Sequence, residues 1–163
     1  MRRLAIALAL MLAACDTPPA EPAAGMSSSA VFDPSRFVDV WHIVAEIAPG
    51  PACGPRAETW TATASGQFRV TGTICGPTGA RAFLANARMT GPGRMARTFP
   101  DGRSEDLWVL WVDADYRLAV IGTPSRAFAR ILARRPQPSG DLLQAAHDVL
   151  RFNGYDPAML RNP

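Results

Sequence analysis

The sequence has no lysine. All 17 of its basic residues are arginine, set against 14 acids for a formal net charge of +3. Two of those arginines, Arg2 and Arg3, lie in a leader expected to be removed, and the others are scattered without a stripe or tail. That pattern argues against a nucleic-acid partner. Histidine is nearly absent, with two residues, and only three cysteines occur. So sparse a set excludes a metal-spaced His or Cys group. No nucleophile elbow or phosphate loop is present, so no catalytic residue, metal or cofactor is expected. No apolar run approaches the ~20 residues of a spanning helix, which excludes a transmembrane helical bundle. With 48% hydrophobic and 19% charged residues the chain is an ordinary globular composition, enough for one domain with one sizeable core.

What is present begins at the N-terminus. Arg2 and Arg3 precede the apolar run 4–12, followed by Ala13, Ala14 and Cys15. This is the order of a secretory signal, and the apolar run is too short to span a bilayer. Leu12-Ala13-Ala14-Cys15 also resembles the bacterial lipobox, which implies cleavage before Cys15 and its acylation. More than one acyl chain anchors firmly, since each buried CH₂ contributes ~0.8 kcal/mol. The expected organisation is therefore a signal over 1–14, a flexible acylated tether over 15–31, rich in Pro, Ala and Ser, and a folded domain over 32–163. The alternative is a plain cleaved signal. Asp16 resembles the signal that in enteric bacteria retains a lipoprotein in the inner membrane, so a periplasm-facing anchor is expected with the membrane left open.

With Cys15 assigned to the anchor, Cys53 and Cys75 remain. An even pair in an exported chain reads as a disulfide; a metal or redox pair lacks further ligands or a C-x-x-C spacing.

From Trp41 onward short alternating runs are separated by Gly, Pro and Asp. Strands are expected over 41–48, 59–64, 68–75, 82–89, 94–99, 107–112, 116–121 and 128–133. In the first, Trp41, Ile43, Ala45 and Ile47 form one face and His42, Val44, Glu46 and Ala48 the other. After Pro138 the period changes, with Leu142, Leu143, Ala146, Val149 and Leu150 at helical spacing and Asn153-Gly154 as a stop. The fold class is all-β with one C-terminal α-helix, an eight-stranded antiparallel up-and-down barrel.

On these residues the chain resembles a bacterial lipocalin of the outer-membrane lipoprotein type. The segment 37–45, with Trp41, is similar to the family's first motif; 107–117, with Asp113 and Tyr116, to the second; 128–136, with Arg134, to the third. Asn153-Gly154-Tyr155-Asp156 is similar to the Gly-Tyr-Asp segment that closes the bacterial members. Four departures stand out: Asp39 for the motif glycine, His42 for a tyrosine, Val44 near the usual glutamate, and Arg130 where a tryptophan is common. The resemblance implies a calyx-shaped barrel whose closed end carries a structural cation-π pair of Trp41 and Arg134.

A small barrel holds a ligand when its inward side chains leave room. Strand alanines, with Trp60, Phe68, Phe83, Trp108 and Trp111 as candidate wall residues, suit a hydrophobic partner such as a fatty acid or lysophospholipid. Arg69, Arg88, Arg94 and Arg97 are candidates to meet its carboxylate or phosphate at the mouth. The rival reading is an envelope lipoprotein with a structural or interaction role and a barrel packed solid; an enzyme using the cavity is a third. Nothing in the sequence sets the oligomeric state.

Overall fold

The computed structural model describes residues 25–163; the expected signal segment, Cys15 and the first part of the tether lie outside the described residues. The strands are β1 (Asp39–Ile47), β2 (Arg56–Ala64), β3 (Gln67–Gly76), β4 (Gly79–Gly91), β5 (Arg94–Thr98), β6 (Ser104–Val112), β7 (Leu118–Gly122) and β8 (Ala129–Ala133). Every strand pairs with its sequence neighbours and β1 closes on β8. Closure leaves no unpaired sheet edge. One helix, α1 (Gly140–Phe152), follows the barrel.

Period-two alternation decides what enters the barrel. In β2, Arg56, Glu58 and Trp60 are buried between the more exposed Ala57, Thr59 and Thr61. In β3 and β4, Phe68, Val70, Ala85 and Ala87 do the same. Four strand pairings carry a register shift, and two of these change which side chains face inward. The β1–β8 pairing shifts between Ile43 and Ala45, so Val44 and Ala45 both join the cluster outside the barrel. The phase then reverses. Trp41 and Ile43 stay inside, Ile47 turns outward, and Glu46, expected on the face opposite Trp41, is buried within the barrel. A second shift between Val109 and Trp111 leaves Leu110 and Trp111 both outward.

The apolar side chains thus form two cores. The inner one fills the lower half of the barrel: Phe37 packs 4.8 Å from Trp41 and 5.1 Å from Trp60, which lies 5.8 Å from Phe68. The outer one lies between the wall and α1, where Ala146 and Leu150 are buried against Val120, Ile131 and their neighbours. The helix stripe expected from its spacing is the one that docks.

Two further differences from the expected boundaries have local causes. Tyr116 does not open a strand: it occupies the turn before β7 at φ +57°, and its hydroxyl accepts from Asp33 N at 2.6 Å. Residues 27–29, expected within the tether, lie along the barrel instead. Ser27 N donates to Asn153 Oδ1 at 2.8 Å and Ser29 N to Val109 O at 2.8 Å.

Candidate ligand site

The two ends of the barrel differ. The closed end is sealed by the aromatic plug and by Arg134, whose guanidinium carbon sits 3.9 Å above the Trp41 ring. Its nitrogens donate to the carbonyls of Arg36 (2.8 Å), Val38 (2.9 Å) and Val40 (3.2 Å). Asp113 orders the neighbouring turn by accepting from Leu118 N at 2.7 Å and Arg117 Nε at 2.8 Å. Burial raises its pKa, but the Leu118 and Arg117 hydrogen bonds outweigh this and hold the carboxyl below the ordinary aspartate value.

The other end opens into a cavity of about 610 Å³. Ile74, Phe83, Phe99 and Phe128 supply its apolar wall. Phe83 packs closely over its β3 partner Gly72, where a Cβ would stand 2.8 Å from the ring. Phe128 has guanidinium carbons of Arg97 and Arg130 at 5.3 and 5.0 Å from its ring centre. The rim is pinned by the Cys53–Cys75 disulfide, which ties the β1–β2 connection to the end of β3 with Cα atoms 5.6 Å apart. This is the pairing expected from the cysteine count.

Charge enters the same wall. The bulge in β1 places Glu46 where Arg56 Nη2 reaches Oε1 at 2.5 Å, Arg130 Nε reaches Oε2 at 3.1 Å and Arg161 Nη2 reaches Oε1 at 3.4 Å. Arg130 also pairs with Glu58, which accepts from Trp60 Nε1 at 3.0 Å. Nearer the mouth, Arg97 Nε donates to Glu105 at 2.7 Å. Burial pushes the Glu46 carboxyl up, but the Arg130 charge and the Arg56 hydrogen bond prevail and keep it below the ordinary glutamate value. Arg130, in place of the family's common tryptophan, is what joins the two buried glutamates.

Of the five expected wall residues, only Phe83 lines this cavity. Trp60 and Phe68 are inside the barrel but belong to the plug below it. Trp108 and Trp111 pack in the outer cluster, Trp108 beneath the Arg94 guanidinium at 4.2 Å, because the β6 bulge and the strand phase turn both outward. Among the four mouth arginines expected, Arg97 reaches the cavity while Arg69, Arg88 and Arg94 are exposed outside it. Arg56, Arg130 and Arg161 were not among the expected residues. The alternation of Arg56 and Glu58 with Trp60 carried that signal for β2; the β1 bulge carried none. His42 and His147 line no part of the cavity, and among the described residues no three His, Cys, Asp or Glu side chains are placed to hold a metal. The barrel is packed solid only in its closed half.

A closed eight-stranded barrel with one sealed end and one open, walled cavity is a calyx. A lipocalin-like domain family model matches residues 32–163, and the chain belongs to that family. It is 38% identical over 55 residues to temperature-induced lipocalin-1 of Arabidopsis thaliana, a match spanning 34% of this chain and only 30% of that protein's length. Similar folds include lipocalin 12 from rat epididymis (TM-score 0.66, 13% identity, 85% of this chain and 88% of that one). Lobster apocrustacyanin A1 is also similar (TM-score 0.64, 12% identity, 80% and 78%). So is the siderocalin Ex-FABP, described as having dual ligand specificities (TM-score 0.60, 14% identity, 77% and 91%).

Proposed function

We propose that this lipocalin binds one small hydrophobic or amphipathic molecule, of the fatty acid or lysophospholipid class, in its calyx and does so as a lipid-anchored protein of the bacterial envelope. The cavity above the aromatic plug is the observation that carries the binding reading. Its volume of about 610 Å³ falls within the ~300–1,000 Å³ of small-molecule sites. Its wall combines three phenylalanines with arginines, which suits an acyl or aromatic body with a polar end. The anchor rests on the signal and lipobox pattern ending at Cys15, with the domain facing the periplasm.

No tryptophan lines the cavity, so displacement of an environment-sensitive dye is a better reporter than indole quenching. Delipidated protein titrated with a panel of fatty acids and lysophospholipids is expected to release the dye at one equivalent. Failure of every panel member to displace it would sink the binding reading. The anchor is tested separately: Cys15→Ser should abolish acyl mass on the mature chain, and an unchanged acyl mass would refute the assignment.

A further inference from the structure

The charges inside the calyx do not balance, and the imbalance is local. Arg56, Arg130 and Arg161 surround Glu46 and Glu58, three guanidiniums for two carboxylates. The side chains of Arg56, Arg130, Glu46 and Glu58 are at most 4% exposed. The third guanidinium, Arg161, is 31% exposed, so the excess positive charge stands at the cavity surface, where an anion can join it. The hydrogen-bond accounting shows the same deficit. Arg56 and Arg161 both give an Nη2 to Glu46 Oε1, yet the Nε of each is buried with no acceptor. Arg56 and Arg161 both line the cavity. Arg81 has no carboxylate partner among the described residues, and Asp106, exposed on the same lining, has no arginine partner there. Arg97 is already matched by Glu105.

Guanidinium N–H groups held in fixed positions match planar or tetrahedral oxyanions. From this we infer that the calyx contains a specific oxyanion site, formed by Arg56 and Arg161 beside Glu46, that takes the carboxylate or phosphate of an amphiphile inside the barrel instead of leaving it at the rim. The inference rests on the calyx being a ligand site. Glu46 holds the guanidiniums in place, and Ile74, Phe83 and Phe128 face the apolar body of the same molecule.

The test is calorimetric titration of the delipidated full chain with dodecanoate, dodecyl phosphate and dodecanol, which share one apolar body. One or both anions are expected to bind at least about tenfold tighter than the alcohol, the gain of a charge-assisted hydrogen bond. The tighter of the two identifies which oxyanion the site prefers. Arg161→Gln leaves Glu46 paired with Arg56 and Arg130, so the barrel retains its buried contacts. That variant should weaken the anions by about tenfold while leaving dodecanol unchanged, and Arg56→Gln, if it folds, should do the same. Equal affinity for alcohol and anions, or anion affinity untouched in Arg161→Gln, overturns the oxyanion site and leaves the calyx reading standing. If none of the three binds, the calyx reading itself fails and takes the oxyanion site with it.

Discussion

Arg134 concentrates much of the closed end in one side chain. It covers the Trp41 ring and donates to the carbonyls of Arg36, Val38 and Val40. Arg134→Ala should cost about 2–4 kcal/mol, the sum of a shielded cation-π contact and several hydrogen bonds. The ligand stoichiometry should not change, because the residue lies at the opposite end from the cavity. Thermal unfolding and a titration of the same variant check both halves, and an unchanged melting temperature contradicts the assignment. Asp39 makes the reverse case. It stands at φ +109°, a conformation suited to the glycine found there in the family motif, and its carboxylate lies 3.9 Å from Arg134 but is 75% exposed. So exposed a pair contributes little. Asp39→Gly should therefore stabilise the protein by about 1 kcal/mol, relief of backbone strain exceeding the entropy of a new glycine. A lower melting temperature would show that the Arg134 contact outweighs the strain.

Among the elements, the segment after α1 is tied to the barrel through Tyr155. Its buried hydroxyl donates to Thr123 O at 2.8 Å with Phe128 O at 3.1 Å, so the β7–β8 connection and the helix exit move as one. Burial pushes the phenol pKa from 10.0 up to about 12. A raised folded pKa means that this stabilisation is complete below pH 10 and is lost as pH rises toward about 12. Tyr155→Phe should cost about 1–2 kcal/mol at neutral pH and flatten the alkaline decline, as read from urea midpoints; an equal decline in the variant contradicts the assignment. The Gly-Tyr-Asp motif that marks this segment was legible in the sequence, as were all eight strands and the helix stripe. The bulges were not. Val44 and Leu110 are ordinary strand residues with no glycine beside them, so nothing in the alternation announces that two successive side chains turn outward. One missed bulge moved Glu46 to the wrong face and hid the charged wall. The other, with the strand phase, made Trp108 and Trp111 look like wall residues.

For the molecule as a whole, the barrel is a sealed aromatic half joined to an open charged half, and each contains an ionised carboxylate that holds it together. Glu46 is held below its ordinary value of 4.5 and Asp113 below 3.8. A depressed folded pKa contributes stability that is present above those values and lost as pH falls through the lower folded ones. Glu46→Gln, which leaves its arginines without their shared charge, should cost about 3 kcal/mol at neutral pH and make the acid limb shallower, read from denaturant midpoints stepped downward from pH 7. An acid limb as steep as that of the parent would remove Glu46 from the account. The central claim is that ligand enters the calyx rather than coating the outer aromatic cluster. The most direct measurement is side-chain nitrogen–proton NMR during titration with a fatty acid. The Nε signals of Arg56, Arg130 and Arg161 are expected to shift with saturation at one equivalent while the indole signals of Trp108 and Trp111 stay in place. Shifts confined to Trp108, Trp111 and α1, with the arginine signals unmoved, would contradict that claim.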